Sequence, residues 1–446
     1  MRPNLPEQKD TAELFRSRLE NIIDMRHELV QLAKKLDWQR IDSHFAGFYS
    51  EHGRPGLAIR LMVGLHMLKH IYALSDEEVC ARWKENPYYQ YFTGEEFFQH
   101  RFPIERSSMT HFRNRVSEEA LEKLLQESLQ VAFQAKALKL SDLDRVAVDT
   151  TVQEKAITFP TDAKLMHKAI EKLGETAKEE GVGLRQSYVR VAKEQLIKSA
   201  RYRHAKQMNR ARKAEKKLRT FLGRLIRDIR RKTLGEELSP KLNATLDKAV
   251  SVWWQQKEKK KSIFSWHAPE VECISKGKAH KRYEFGCKVT LATNVNPAAG
   301  GQFVLASRAL HGAPYDGHTL KETIETIHSI VGKTPNRIYV DKGYTGHDYE
   351  HKQHVFKSGQ KRGVIGKIKQ ELKRRTVIEP TIGHMKNDGL LGRNYLKGQK
   401  GDKINAILAA VGFNLRQLLN WFRKLLLTLI RILFPHILPH MLKPCV

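Results

Sequence analysis

Acidic residues are scarce beside basic ones: 49 Asp and Glu stand against 79 Lys and Arg, a formal net charge of +30 over 446 residues. A surplus of this size predicts a polyanionic partner. Nucleic acid is the commonest, with membrane surfaces and ribosomes as competing sinks for positive charge. Cysteine is sparse as well. Cys80, Cys273, Cys287 and Cys445 are scattered without C-x-x-C spacing, which indicates neither a zinc site nor a disulfide framework and suits a reducing cytosol. Walker loops, G-x-G-x-x-G and serine-nucleophile motifs are missing, so nucleotide-binding and hydrolase readings have no support. No long apolar run survives inspection either. The nearest, Leu425 to Leu442, is interrupted by Arg431, two histidines and two prolines and falls short of the ~20 apolar residues a membrane span needs. It reads as a packing or dimerising tail, with a membrane-surface helix as the lesser alternative. Met1 to Asp10 is polar, which predicts no signal peptide.

What is present begins with helices. The chain has length for a buried core and for two or three domains. Leu14 to Trp38 is helical in pattern, Ser50 to Pro55 is a turn-rich break, and Gly56 to Leu74 is a long apolar helix. Ser75 with Glu78 three residues on has the form of a capping box that starts the next helix, and Asn86-Pro87 ends it. Tyr88 to Phe92 is an aromatic run that fills a core more readily than it stacks on bases. Further helices begin near Ser107 and run from Leu121 to Leu138. Arg113 and Arg115 on one of them are compatible with a helix-turn-helix-like DNA reader; a plain helical bundle fits the composition equally well.

Val146 to Val152 predicts the first strand, since Val-Ala-Val before Asp149 is the continuous apolar run of a strand buried on both faces. The sheet pattern then stops. From Thr161 to about Lys261 the sequence is helical and increasingly basic, and between Lys198 and Lys232 fifteen Lys and Arg face two acids, Glu215 and Asp228. Within it Leu218, Phe221, Leu222, Leu225, Ile226 and Ile229 form one apolar stripe at helical spacing. The stripe must dock on something. Arg212, Lys213, Lys217, Arg224 and Arg231 fall on the other face, where self-repulsion favours phosphate contact over a merely solvated surface; a coiled-coil partner is the third reading. Strands resume at 281–294 and at Gln302 to Ala309 as antiparallel neighbours. A polar loop, a helix over Thr319 to Val331 and a strand over Arg337 to Val340 follow.

Two apolar strands are thus each expected to end in an aspartate, Asp149 in V-D-T-T and Asp341 in V-D-K-G-Y, and Glu379 follows on a helix. Three carboxylates on rigid elements are hard oxygen ligands suited to Mg²⁺, and two such ions about 3.5–4 Å apart clamp the attacking and leaving oxygens of a phosphoryl transfer. A strand-terminal aspartate is equally a turn former or a helix cap. Lys386 lies seven residues after Glu379, two helical turns on, and shares its face. Pro380 disfavours helical geometry at the residue before it but is tolerated in a first turn, so the helix is expected to begin near Glu379.

Arg375, three residues, Glu379, six residues, Lys386 resembles the R-x3-E-x6-K part of the signature of DDE transposases of bacterial insertion sequences. D341-K-G-Y resembles the second-aspartate motif of that group, and V-D149-T-T the first. The likeness runs from about Arg40 to Gly412 and is nearest to the IS-five family within the IS-four-like superfamily. It implies an α/β fold: a ribonuclease H-like catalytic core with mixed sheet, a helical N-terminal domain that binds element ends, and a basic helical insertion after the first strand. On that plan residues 1–140 form the N-terminal domain, 141–160 the first strand, 161–270 the insertion, 271–415 the rest of the core and 416–446 the tail.

The resemblance implies that Asp149, Asp341 and Glu379 are catalytic and hold two Mg²⁺ ions, with Mn²⁺ as a substitute. Lys386 would reach a phosphate, and Arg375 would either orient Glu379 or contact the DNA backbone. Lys342 and Tyr344 would touch DNA ends, with Tyr344 stacking on a base; otherwise Gly343 simply permits a tight turn. His311, His318 and His384 read as capping or DNA contacts rather than metal ligands. The partners implied are double-stranded DNA, both element ends and target, and a second copy of the chain on DNA, with no membrane. The implied location is the bacterial cytoplasm, at the nucleoid. The competing functions are a DNA-binding protein of transposase descent that no longer cuts, and a structure-specific nuclease on the same fold.

Overall fold

The computed structural model describes residues 16–49, 52, 56–235, 237–255, 263–275 and 282–433. The expected turn at Ser50 to Pro55 and the end of the C-terminal tail lie largely outside the described residues. The chain divides into two units. One comprises the residues up to Glu154 and from Cys287 onward; the other is Lys155–Gly286.

Among the described residues, eight α-helices precede the sheet in the first unit: α1 (Leu19–Ile22), α2 (Glu28–Lys35), α3 (Trp38–Ala46), α4 (Ile59–Ile71), α5 (Asp76–Glu85), α6 (Pro87–Thr93), α7 (Ser107–Arg115) and α8 (Glu118–Gln134). Helix α4 is apolar on every side and is buried accordingly. The capping box forms as expected: the Glu78 N–H donates to Ser75 Oγ at 3.1 Å and the Ser75 N–H to Glu78 Oε2 at 2.7 Å. Asn86 ends α5 and its side chain caps α6, with Pro87 in the first turn. Tyr89 and Phe92 are buried, so the aromatic run does serve the core. Arg113 is buried too, and its guanidinium donates in a fork to Asp76 at 3.0 and 2.6 Å. It is thereby withdrawn from the DNA-reading surface suggested for it; Arg115 stays exposed over the Tyr49 ring.

Strand β1 runs Arg145–Glu154, longer than expected, because β-branched Thr150, Thr151 and Val152 extend the pleat past Asp149. Asp149 therefore lies within its strand and does not end it. The second unit follows with α9 (Asp162–Glu179), α10 (Val189–His204), α11 (Met208–Lys232), α12 (Pro240–Trp254) and the short β2 (Glu272–Ile274). Its apolar core is its own. Leu218, Leu222, Leu225, Ile226 and Ile229 of α11 meet Leu165, Ile170 and Leu173 of α9 and Leu242 and Leu246 of α12. Each such leucine or isoleucine contributes about 1.5–3 kcal/mol by leaving water.

Next come β3 (Glu284–Asn294), β4 (Val304–Leu310), α13 (Leu320–Val331), β5 (Arg337–Val340), β6 (Val355–Lys357), α14 (Gly366–Arg374), α15 (Ile378–Asn387) and α16 (Gly398–Leu433). The sheet is mixed. Its order is β4-β3-β1-β5-β6, and β2 pairs with the first residues of β3. Strands β3 and β4 are antiparallel, whereas β1, β5 and β6 are mutually parallel. The fold is therefore mixed α/β, and α2–α8, strands β1 and β3–β6, α13 and α16 share one apolar core. Helix α16 runs unbroken through the boundary expected at residue 416, because the buried face from Ile404 to Phe422 needs one continuous scaffold. It comes so close to α4 that a Cβ on Gly412 would lie 2.5 Å from the His70 carbonyl oxygen. No helix among the described residues is long and apolar enough to cross a membrane.

Candidate active site

Register relates the two strand aspartates. Strands β1 and β5 pair Arg145 with Arg337, Val146 with Ile338 and Ala147 with Tyr339. Continued by two residues, that register sets Asp149 level with Asp341 on parallel strands about 4.8 Å apart. Alternation along a strand then puts Arg145, Arg337, Tyr339 and both aspartates on one face. The segment from α14 to α15 lies along that face.

Glu371 of α14 clamps the strand starts. It is buried and takes Arg145 Nε at 2.6 Å, Arg337 Nη1 at 2.8 Å and the Tyr339 hydroxyl. Burial pushes its carboxyl up, but the hydrogen bonds from Tyr339 and Arg337 and the Arg145 charge outweigh burial and hold it below the usual range. One helical stretch further, a 3-10 turn at Arg375–Val377 leads into α15, so the helix carrying Glu379 begins beside it with Pro380 in the first turn, as its sequence predicts. Arg375 is buried. Its Nη1 lies 4.0 Å from Asp149 Oδ2 and its Nη2 donates to Glu379 Oε1 at 3.4 Å. Arg375 thus lies between the carboxyl groups of Asp149 and Glu379. Glu379 is exposed, and Lys386 is half-buried on the same α15 face.

The loop after Asp341 folds inward. The Tyr344 N–H donates to the Asp341 carbonyl at 3.2 Å, and Lys342 remains exposed. Tyr344 is only 1% exposed, so its ring is placed in the core and not where a DNA base would stack. Burial, then the Asp149 and Asp316 charges, push its phenol well above the ordinary value. Gly343 is not in the left-handed region; closeness is its reason, since a Cβ there would lie 3.3 Å from Asp316 Oδ2.

Asp316 itself escaped the sequence reading. It sits in a turn before α13, accepts from the Thr150 hydroxyl at 2.8 Å and from Lys288 Nζ at 3.0 Å, and so ties the residue after Asp149 on β1 to β3. Only its place in the polar loop L-H-G-A-P-Y-D-G-H hinted at this. Of the three histidines, His384 pairs with Asp388 at 2.6 Å and His318 packs edge-on to Tyr315. His311 lies 3.7 Å from Cys287 Sγ.

In the second unit Arg212, Lys213, Lys217, Arg224 and Arg231 are all exposed along α11, opposite its buried stripe. Arg231 is paired with Asp228 at 2.6 Å.

Comparison with known proteins adds family. Residues 17–115, which hold α1 to α7, match the model of the Transposase domain (DUF772). A Rhizobium meliloti protein described as the uncharacterized protein ORF8 in the nfe locus is 51% identical over 207 residues, which is all of that protein and 46% of this chain. No solved structure matches. The chain belongs to the family of that rhizobial protein and, through its N-terminal helices, is a transposase-related protein.

Proposed function

We propose that this chain is a DDE transposase, close to the IS-five family, that binds the ends of its own mobile element, cuts DNA there and joins the freed end to target DNA. The reading rests on two observations: the β1–β5 register, which continued by two residues sets Asp149 level with Asp341, and the Arg375 guanidinium, which lies 4.0 Å from Asp149 and 3.4 Å from Glu379. The order β4-β3-β1-β5-β6, with β5 parallel to β1, supports a ribonuclease H-like core.

The donor set fits hard divalent cations: two carboxylates on neighbouring strands and a third on a helix, with the Arg375 guanidinium already bridging Asp149 and Glu379 as a cation. Asp149, Asp341 and Glu379 would hold Mg²⁺, or Mn²⁺ in its place. Two such ions would neutralise charge on the attacked phosphate and activate the attacking oxygen. The protein's own groups do the rest. Arg375 orients Glu379, Lys386 reaches for a phosphate from the same helix face, and Lys342 meets the backbone near the cut. Water attacks first, and the freed 3′-hydroxyl then attacks the target; both are in-line phosphoryl transfers in which positioning and charge do the work. The cations of α11 hold the DNA by sequence-independent phosphate contact, and synapsis of two ends calls for a homodimer on DNA.

The test uses a plasmid carrying this gene with its native flanking DNA, incubated with purified chain in Mg²⁺, in EDTA and with Asp341→Ala. Breaks at the element boundaries that require both metal and Asp341 are expected, and a strand-transfer assay separates a transposase from a nuclease. Tight boundary binding with no cutting in any metal would replace the enzyme by a DNA-binding protein of transposase descent.

A further inference from the structure

Cys287, His311 and Asp402 are far apart in sequence, yet their ligand atoms all lie within 4.8 Å of one another. Strand register explains two of them. Lys288 pairs with Leu310, so Cys287 and His311 are the next cross-strand neighbours, on the sheet face opposite Lys288. The third comes from the first turns of α16, laid over that face. Cys287 and Asp402 are buried, and His311 is half-buried at the solvent side.

We infer that this cluster is a zinc site, separate from the acids at the β1–β5 end, in which Cys287 Sγ, a ring nitrogen of His311 and a carboxylate oxygen of Asp402 staple β3 and β4 to α16. The distances suit the chemistry. Zn–S of about 2.3 Å and Zn–N of about 2.0 Å at a tetrahedral angle put sulfur and nitrogen about 3.5 Å apart, and Cys287 Sγ lies 3.7 Å from His311 Nδ1 and 3.9 Å from Nε2, so a small rotation of the imidazole brings a nitrogen into ligand position. The supporting shell is polar and buried. Asn394 Nδ2 donates to Asp402 Oδ1 at 2.7 Å, fixing the carboxylate as outer partners of metal ligands commonly do. Gln153 donates to the Asp402 carbonyl at 3.1 Å, which anchors the helix turn to β1. Three protein ligands leave a fourth position to a water from the His311 side. On binding, the Cys287 thiol gives its proton to solvent and no electron moves. Cysteine spacing concealed this site because one sulfur, not a pair, takes part.

The experiment uses the full chain without a metal-affinity tag. Zinc is counted by elemental analysis, and the metal is then exchanged for Co²⁺, whose thiolate charge-transfer absorption reports a Co–S bond. The inference expects one zinc per chain, a charge-transfer band, loss of both in Cys287→Ser and weakened binding in His311→Gln, with both kept in Asp341→Ala. Substoichiometric zinc and no band in folded wild-type protein would sink it, as would a band that persists in Cys287→Ser, since that sulfur would then belong to another cysteine. The wild-type spectrum decides even if the variants misfold. None of these readouts depends on DNA cleavage.

Discussion

Asp316 shows what a single side chain does here that no motif announces. Its carboxylate serves Thr150 and Lys288 at once, and Lys288 is itself nearly buried. Removing it leaves that ammonium without its carboxylate partner, a change that typically costs about 3–5 kcal/mol, and frees Thr150, the residue after Asp149. Asp316→Ala should therefore lower the denaturant midpoint and reduce cleavage more than DNA binding, while Asp316→Asn, which keeps an acceptor for Thr150, should lose less of both. Equal loss in the two variants, or lost binding with cleavage intact, would show that Asp316 does not position the acids. Arg375 acts at the same scale. Arg375→Lys keeps a charge but cannot fork between Asp149 and Glu379, so cleavage should fall by about tenfold or more while binding holds, measured as a nicking rate at saturating protein.

Among the elements, the N-terminal helices depend on a buried ion pair. Burial opposes ionisation of Asp76, but Arg113 and Lys69 outweigh it and hold the carboxyl well below the usual range. A depressed folded value stabilises the fold above the unfolded value, about pH 3.9, and that contribution is lost as pH falls below it toward the folded value. Acid unfolding of wild type should show this loss below about pH 4, whereas Asp76→Asn should start less stable at pH 7 and lose less on acidification. Urea midpoints at pH 7 and pH 3 measure both.

Legibility divides at this scale as well. The α11 stripe and the capping box could be read because each depends on residues three or four apart, and the strands because their apolar runs are continuous. Asp149, Asp341 and Glu379 stood out through short local motifs. Glu371 and Asp316 did not, because their meaning comes from partners remote in the chain: Thr150 is 166 residues from Asp316. Tyr344 reads as a DNA contact from its place in the loop after Asp341, and only the inward fold of that loop buries it. Arg113 misled in the same way, its charge being spent inside the fold on Asp76.

At the scale of the whole molecule, charge and core are distributed unequally. The second unit keeps its apolar residues in one cluster and the first unit in another. Two separate cores make two cooperative melting events the natural expectation, because the burial that stabilises each is lost within its own cluster. Leu222→Ala in α11 removes a fully buried side chain from the second core, and Leu408→Ala in α16 does the same in the first. Each should cost about 2–5 kcal/mol, which moves the melting point of the smaller second unit by roughly 7–18 °C and that of the larger first unit by roughly 3–8 °C, leaving the other unit nearly still. Differential scanning calorimetry of the full chain reads both events together. Should either variant shift a single common transition, the two cores melt as one, and the cationic helix that we assign to DNA would be held by the same cooperative unit as the acids.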